Sequence, residues 1–312
     1  MEKKLYTESS IKEFLEDAAA WKRKVEFLSA LFCDDAELNP RGVKMQECGH
    51  WLTFDADPPG VSGVAEFRLT RSNFCRQRLC PMCQWRRSRM IFAHLTDVVD
   101  QLREQEFDVL HVVLTVRNVR GCLLTEQITR MYKAFSSLTK EPMLSGWKGS
   151  LRFLEVSYNC YDRTYHPHLH VLVAVKPSYF KSRYYVAQEK LARLWKNALD
   201  LDYVPLVHIS KCDPRAILEV AKYCVKPFDF EHFDLADCLS IYQCFDVVLH
   251  NRRLIQSYGV FREVIRACKL DDTLDDEPDR EYSLDELGDE LSESRLHRVF
   301  SYNAASGRYE LC

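Results

Sequence analysis

The chain has 312 residues, of which 46% are hydrophobic and 12% aromatic, a composition typical of a globular protein of about two domains. No apolar run is long enough to span a bilayer, and the amino-terminal stretch lacks the apolar core of a secretory signal, so we expect a cytoplasmic protein with no membrane segment. The net charge of −3 is unevenly distributed, because residues 271–293 hold twelve acidic residues and one arginine, a local charge of −11 that leaves +8 on the rest. A basic body with an acidic tail is typical of proteins that contact phosphates, although such a tail is as often only solvated.

Hydrophobic periodicity predicts an α+β fold in which helices pack on a central antiparallel sheet. The two central strands form an antiparallel hairpin, since the loop 160–165 is too short for a parallel crossover. No Gly-rich loop ends in Gly-Lys-Ser/Thr, so P-loop nucleotide hydrolysis is not supported. The predicted elements in chain order are a helix at 11–32, a loop at 39–63, a strand at 65–70, a helix at 85–107, a strand at 109–119, a helix at 125–138, strands at 151–159 and 168–176, a helix at 183–199, a strand at 204–210, and helices at 214–226 and 236–258.

A cysteine-rich basic segment, FCRQRLCPMCQWRRSR, predicts a structural zinc site. The Cys-Pro-Met-Cys spacing lets two thiolates bind one tetrahedral ion, and the odd total of 13 cysteines argues against a disulfide framework. The fourth ligand is Cys48 by first choice and His50 by second, and the alternative is a reduced loop without metal. Arginines of this segment either contact DNA phosphates or pair with surface acids. The predicted zinc ligands are Cys48, Cys75, Cys80 and Cys83, and the predicted DNA contacts are Arg78, Arg86 and Arg87.

Alternating histidines on the second hairpin strand predict a divalent metal site. His168 and His170 point to one face of the strand, and a hairpin that closes across Asn159 and His166 places Glu155 opposite His170. A set of two imidazoles and one carboxylate leaves positions open for substrate oxygens and suits Mg or Mn as well as softer metals. A one-residue slip of register would turn the glutamate away, and the alternative is histidines that merely face water. His166 would point to the same face of the strand as the other two histidines, but the proline after it favours a role in orienting the loop.

An N-cap residue with a following proline, and a second proline at the far end, predict a helix over 214–226. Glu219 and Tyr223 stand four residues apart and share one face of this helix. A tyrosine hydroxyl is a poor nucleophile unless a cation or base assists it. The alternative is an amphipathic helix whose tyrosine caps the core and whose glutamate is solvated. The predicted DNA-contacting cations nearby are Lys222 and Lys226.

Taken together, these residues resemble the rolling-circle replication initiators of small bacterial plasmids, the Rep proteins of the HUH endonuclease superfamily. The resemblance covers residues 48–226, just over half of the chain. Its motifs occur in the expected order: the knuckle CRQRLCPMCQWRRS, the strand LTVRNV, the hairpin FLEVSYN leading into HPHLHVLV, and the helix EVAKYCVK.

This resemblance implies a five-stranded antiparallel sheet that carries the metal, with the tyrosine helix presented across it. It also implies that Tyr223 attacks a phosphodiester at the plasmid's double-strand origin, forming a 5′-phosphotyrosyl link and releasing a 3′-OH. Mg or Mn held by His168, His170 and Glu155 would polarise the phosphate, and Glu219 would activate a water or a 3′-OH at termination. The implied partners are origin DNA, single-stranded at the nick site, and a host helicase and polymerase.

We expect five segments along the chain: an N-terminal helical segment 1–47, a zinc-knuckle segment 48–90, a nicking domain 91–228, a C-terminal helical segment 229–270 and an acidic tail 271–312. Two other functions remain open. One is a zinc-stabilised DNA-binding regulator without catalysis, in which Tyr223 is buried and the histidines are structural. The other is a relaxase or transposase of the same superfamily, which would act on transfer or transposon ends.

Overall fold

The computed structural model describes residues 6–56, 65, 67–221, 234–270 and 296–312. These residues form two compact units, the first containing the chain up to Arg86 together with the C-terminal residues from 296 onward, and the second containing the chain from Arg87 to Leu270. Both units combine helices with an antiparallel sheet, which confirms the predicted α+β fold. No helix in the described part of the chain is long and apolar enough to cross a membrane.

The α-helices of the described residues are, in chain order, α1 (Glu8–Cys33), α2 (Asn39–Gln46), α3 (Pro81–Glu104), α4 (Gly121–Leu138), α5 (Gln188–Leu199), α6 (Pro214–Val220), α7 (Leu235–Leu249) and α8 (Val260–Ala267). The strands are β1 (Trp51–Ala56), β2 (Phe67–Ser72), β3 (Asp108–Thr115), β4 (Trp147–Asn159), β5 (Thr164–Val175), β6 (Val207–Lys211), β7 (Ile255–Gly259), β8 (Leu296–Asn303) and β9 (Arg308–Leu311).

The first unit is built on a four-stranded antiparallel sheet in the order β2-β1-β8-β9. Alternate residues of β1, among them Leu52 and Phe54, are fully buried, and the Phe54 ring meets Phe14 of α1 at 5.5 Å between centroids. The prediction of a loop over 39–63 was therefore wrong for α2 and β1. Pro40 occupies the start of α2, where a proline is favoured because its missing N–H has no intrahelical partner to lose.

The C-terminal residues also differ from the predicted acidic tail. Residues 296–312 form β8 and β9, and β8 pairs with all six residues of β1. The strongly acidic stretch 271–293 lies outside the described residues. The predicted boundary at residue 48 also does not coincide with a boundary between the units, because α1, α2 and the four predicted zinc ligands belong to one unit.

The second unit contains the five-stranded antiparallel sheet implied by the resemblance, in the order β6-β3-β5-β4-β7. Helix α4 packs on the sheet through an apolar stripe that includes Leu124, Ile128 and Met131. In β3 and β5, residues that face α4 alternate with residues that face the opposite side of the sheet. The histidines of these two strands lie on that opposite side.

The prediction of one helix over 236–258 was wrong at its C-terminal end. Helix α7 stops at Leu249, Asn251 adopts a left-handed backbone with φ of 49°, and residues 255–259 form β7 on the edge of the sheet beside β4. The helix predicted over 214–226 is observed as α6 over Pro214–Val220, and residues 222–226 lie outside the described part of the chain.

Candidate active site

The β4–β5 hairpin places a carboxylate and two imidazoles on one face of the sheet. Glu155 pairs directly with His168, and His170 pairs with Phe153. The predicted register was wrong by two residues, because Asn159 pairs with Thr164 and the turn is shorter than expected. A shift of two residues keeps every side chain on its face, so Glu155 still lies with both histidines.

These three side chains converge on one point. The Nε2 atoms of His168 and His170 lie 3.3 and 3.0 Å from Oε2 of Glu155, and all three ligand atoms lie within 4.8 Å of one another. A divalent ion bound at about 2.1 Å to each ligand keeps such donors about 3 Å apart, so the spacing fits a metal. Burial raises the pKa of Glu155, but the hydrogen bonds and charges of the two histidines outweigh it and hold this pKa well below the ordinary value. The carboxylate is therefore ionised and ready to bind a cation.

A third imidazole supports this group from the neighbouring strand, and the sequence analysis did not identify it. His111 of β3 is 5% exposed, and its Nε2 lies 3.0 Å from Nδ1 of His170, with the two rings nearly parallel. Burial first, and then the neighbouring His170 and His208, lower the pKa of His111 to about 4, so its imidazole is neutral at physiological pH. A histidine inside the apolar strand DVLHVVLT was the only available signal.

His166 lies beside this group but is not part of it. Its Nδ1 lies 2.8 Å from Oδ1 of Asn118, whose Nδ2 donates a hydrogen bond to Thr164. The ring thus links β5 to the segment that follows β3, in agreement with an orienting role rather than ligation.

Helix α6 begins as the sequence predicts, because the Asp213 carboxylate accepts a hydrogen bond from the N–H of Ala216 at 2.8 Å. Glu219 is half-buried and lies close enough to His111 that its negative charge counteracts the fall in the pKa of that imidazole. The helix therefore brings Glu219 toward the face of the sheet that carries the histidines. Tyr223, Lys222 and Lys226 lie outside the described residues.

A separate group of four thiols occurs in the first unit. The Sγ atoms of Cys48, Cys75, Cys80 and Cys83 all lie within 4.8 Å of one another, with separations of 3.5 Å for Cys48 to Cys83 and to Cys80, and 3.6 Å for Cys75 to Cys83. A tetrahedral zinc with bonds of about 2.3 Å separates its sulfur ligands by about 3.8 Å, which these values approach, whereas a disulfide requires about 2.05 Å. The fourth candidate zinc ligand is thus Cys48 rather than His50.

The surroundings of these thiols favour the thiolate at one position and oppose it at two. Hydrogen bonds from the other three thiols hold the pKa of Cys75 well below its ordinary value. Burial raises the pKa of Cys80, and hydrogen bonds with Cys48 and Cys75 raise that of Cys83, so these two thiols lose their protons only when a cation binds. Lys22 is 1% exposed, and its Nζ donates hydrogen bonds to the carbonyl oxygens of Gln46 and Cys48 at 2.8 and 3.0 Å. A buried ammonium beside several thiolates offsets part of their negative charge.

The arginines predicted to contact DNA are half-buried and take part in contacts within the protein. The Arg86 guanidinium lies over the ring of Phe74 at 5.6 Å, and the Arg78 carbonyl accepts a hydrogen bond from the Gln84 amide. Arg78 and Arg86 belong to the first unit, and Arg87 begins the second. Their contact with DNA stays a prediction.

Comparison with known proteins gives a match to a family model described as replication protein over residues 66–310. The chain belongs to this replication protein family. A relative named "Protein rep" from Streptococcus pneumoniae is 34% identical over 277 residues, which cover 85% of this chain and 82% of the relative. Another "Protein rep", from a Bacillus species, is 33% identical over 259 residues, covering 75% of this chain and 83% of the relative. No solved structure gives a significant match. The resemblance to Rep proteins inferred from the motifs is confirmed.

Proposed function

We propose that this replication protein initiates rolling-circle replication of a plasmid by nicking one strand at the double-strand origin. The observation that carries the proposal is the convergence of His168 Nε2, His170 Nε2 and Glu155 Oε2 on a buried point of the sheet. Membership of the replication protein family and the relatives named rep support a role in initiation.

The chemistry is a transfer of one phosphoester to another. Tyr223 Oη forms a bond to phosphorus while the bond to the 3′-oxygen of the preceding nucleotide breaks, the phenolic proton passes to the released 3′-oxygen, and the 5′ end stays on the tyrosine. His168, His170 and Glu155 would hold Mg or Mn, which would supply Lewis-acid polarisation of the scissile phosphate when bound. Because the number of phosphoester bonds is conserved, the nick consumes no nucleotide, in keeping with a chain that has no P-loop.

Glu219 acts at the end of the cycle. Its position near His111 supports a role as the base that activates a water or a strand's 3′-OH, which then displaces the tyrosine and releases DNA. Lys222 and Lys226 contact the DNA backbone next to the reacting phosphate, and a host helicase and polymerase extend the released 3′-OH. Zinc bound by the four thiols would stabilise the first unit. Arg78 and Arg86 of that unit, and Arg87 at the start of the second, contact duplex DNA.

The test is formation of a covalent adduct. Protein incubated with Mn and a supercoiled plasmid that carries its origin should convert the plasmid to open circles and become linked to DNA in a form that survives denaturation. Tyr223→Phe should abolish the adduct, and mass spectrometry of the wild-type adduct should locate the modification on Tyr223. Tyr161→Phe is the matched control, because Tyr161 is 97% exposed at the tip of the same hairpin that carries the metal ligands.

Three outcomes would contradict the proposal. An undiminished adduct in Tyr223→Phe removes Tyr223 as nucleophile. Origin binding without any nick or adduct favours the zinc-stabilised regulator instead. Nicking confined to transfer or transposon ends would point to a relaxase or transposase.

A further inference from the structure

An exposed apolar patch adjoins the strand β6 in the second unit. Leu206 is 81% exposed and Val204 is 57% exposed, both in the segment that leads into β6. Arg117 and Tyr203 lie beside them. We refer to Arg117, Tyr203, Val204 and Leu206 as the Leu206 patch. Contiguous exposed apolar side chains that are rimmed by polar residues commonly mark a binding site.

The patch lies on the same face of the sheet as the candidate metal centre. The carbonyl of Leu206 accepts hydrogen bonds from the N–H and the Oγ1 of Thr115, at 3.3 and 2.8 Å, which extends the β3–β6 register by one residue. Thr115 pairs with His168, and His168 pairs with Glu155. Directly opposed residues of antiparallel strands share a face, so Leu206, Thr115, His168 and Glu155 form one row across four strands. His170, two residues along β5 from His168, lies on the same face.

Burial along β6 supports this orientation. Val207 is only 7% exposed and pairs with Leu114, which is fully buried on the helix-covered face. Leu206 and His208 alternate with it and are exposed. Two strand spacings separate Leu206 from His168, a distance of about 10 Å.

The basic and aromatic members of the patch form a stacked pair. The Arg117 guanidinium lies 3.8 Å from the centre of the Tyr203 ring, and the Tyr203 hydroxyl accepts a hydrogen bond from the Arg117 N–H at 2.9 Å. Asp202 approaches Arg117 only to 4.0 Å, and the two side chains are 87% and 68% exposed, so this ion pair contributes little. The tyrosine holds the guanidinium in place, and its exposed side remains available to a phosphate or a base.

We propose that the Leu206 patch binds the unpaired bases of the DNA strand that flanks the scissile phosphate. A surface that combines apolar side chains with an arginine–tyrosine stack is suited to single-stranded nucleic acid, because every base has an apolar face and every nucleotide a phosphate. The patch lies about 10 Å from the metal ligands, within reach of a few nucleotides of one strand. This inference rests on the proposed function, and names the part of the substrate that this face recognises: unstacked bases rather than duplex.

Binding of non-specific single strands tests this inference without any nicking. The full-length protein is titrated in EDTA with a fluorescent 20-mer of thymidylate and, separately, with an abasic deoxyribose-phosphate 20-mer of the same charge. Leu206→Ser should weaken binding of the thymidylate 20-mer by about fivefold to tenfold and leave the abasic 20-mer unchanged. Arg117→Gln should weaken binding of both probes and reduce the dependence of binding on salt.

The matched control is Leu123→Ser, which removes a leucine that is 51% exposed on α4, the helix packed on the opposite face. It should bind both probes like the wild type. Because Leu206 is so exposed, Leu206→Ser should have the same unfolding temperature as the wild type. Leu206→Gln is a second polar replacement, and it should show the same loss of thymidylate binding.

Three results would overturn the inference. The first is wild-type affinity of Leu206→Ser for the thymidylate 20-mer, and the second is an equal loss of affinity for both probes. The third is a change in the oligomeric state of Leu206→Ser in light scattering without any change in DNA binding, which would identify the patch as a contact between protein chains. Loss of base-dependent binding in Leu206→Ser together with an adduct that survives Tyr223→Phe would reject the proposed nucleophile alone. The two hypotheses therefore fail separately.

Discussion

The hydrogen bond between His111 and His170 determines which ring nitrogen of His170 can bind a metal. If Nε2 of His170 is to present a lone pair toward the point shared with Glu155, its Nδ1 must carry the proton and donate it to His111 Nε2. Burial keeps His111 neutral and therefore able to accept that hydrogen bond. His111 is thus a positioning residue of the candidate metal centre.

Replacing His111 by leucine should weaken metal binding by about 10-fold to 100-fold, because Nδ1 of His170 would lose its acceptor and the ring its fixed orientation. Calorimetric titration with Mn measures this loss directly. His111→Gln should recover part of the affinity, since its amide oxygen can accept the same hydrogen bond. His250→Gln, which removes an exposed histidine, is the control. Equal Mn affinity in His111→Leu and the wild type would show that His111 has no part in the site.

Residue-level prediction from sequence succeeded where it depended on strand parity. The side chains of Glu155, His168 and His170 share a face in every register that differs from the observed one by an even number of residues. The error of two residues in the predicted register therefore left all three side chains on the same face. His111 could not be predicted in the same way, because its contact depends on the register between β3 and β5, and those strands are separated by a helix and another strand. Tyr223 lies outside the described residues and stays a prediction.

Among the elements, β7 is an edge strand that the sequence analysis assigned to the end of a helix. Its apolar residues continue the pattern of α7, and only its pairing with β4 distinguishes it from a helix. The pairing depends on two glycines that face each other, Gly149 and Gly259. Gly259 has φ of 55° and ψ of −138°, a conformation essentially confined to glycine, and a Cβ there would overlap the carbonyl oxygen of Lys148.

Gly259→Ala should therefore destabilise the second unit by about 1–3 kcal/mol, through backbone strain and displacement of β7 from β4. Urea unfolding followed by circular dichroism would measure the change. Gly307→Ala is the appropriate comparison, because Gly307 has a similar φ of 64° but a Cβ would approach no atom closer than 3.7 Å. A loss of stability in Gly259→Ala no greater than that in Gly307→Ala would mean that the close approach to β4 contributes nothing.

At the scale of the whole molecule, two strands about 250 residues apart in sequence, β1 and β8, lie side by side in one sheet. Strand β8 pairs with all six residues of β1, from Trp51↔Ser301 to Ala56↔Leu296. The C-terminal strands also hold the segment that carries Cys48, since the N–H of Tyr302 donates to the carbonyl of His50 at 2.7 Å and the Tyr309 hydroxyl donates to that of Gly49. Sequence patterns are local, so they gave no sign that residues about 250 positions away complete the surroundings of the four thiols.

Deletion of residues 296–312 should therefore impair the cysteine site although it removes none of its ligands. Without β8, the N–H and C=O groups of β1 on that side lose their partners, and the segment around Cys48 loses its two hydrogen bonds to the C-terminal strands. We expect the truncated protein to release zinc faster to a coloured chelator than the full chain does, since binding of a structural metal and folding of its site are coupled. Mn binding by the second unit, which has its own sheet, is the internal control and should persist. Equal rates of zinc release from the two proteins would show that the four thiols are held by the N-terminal residues alone.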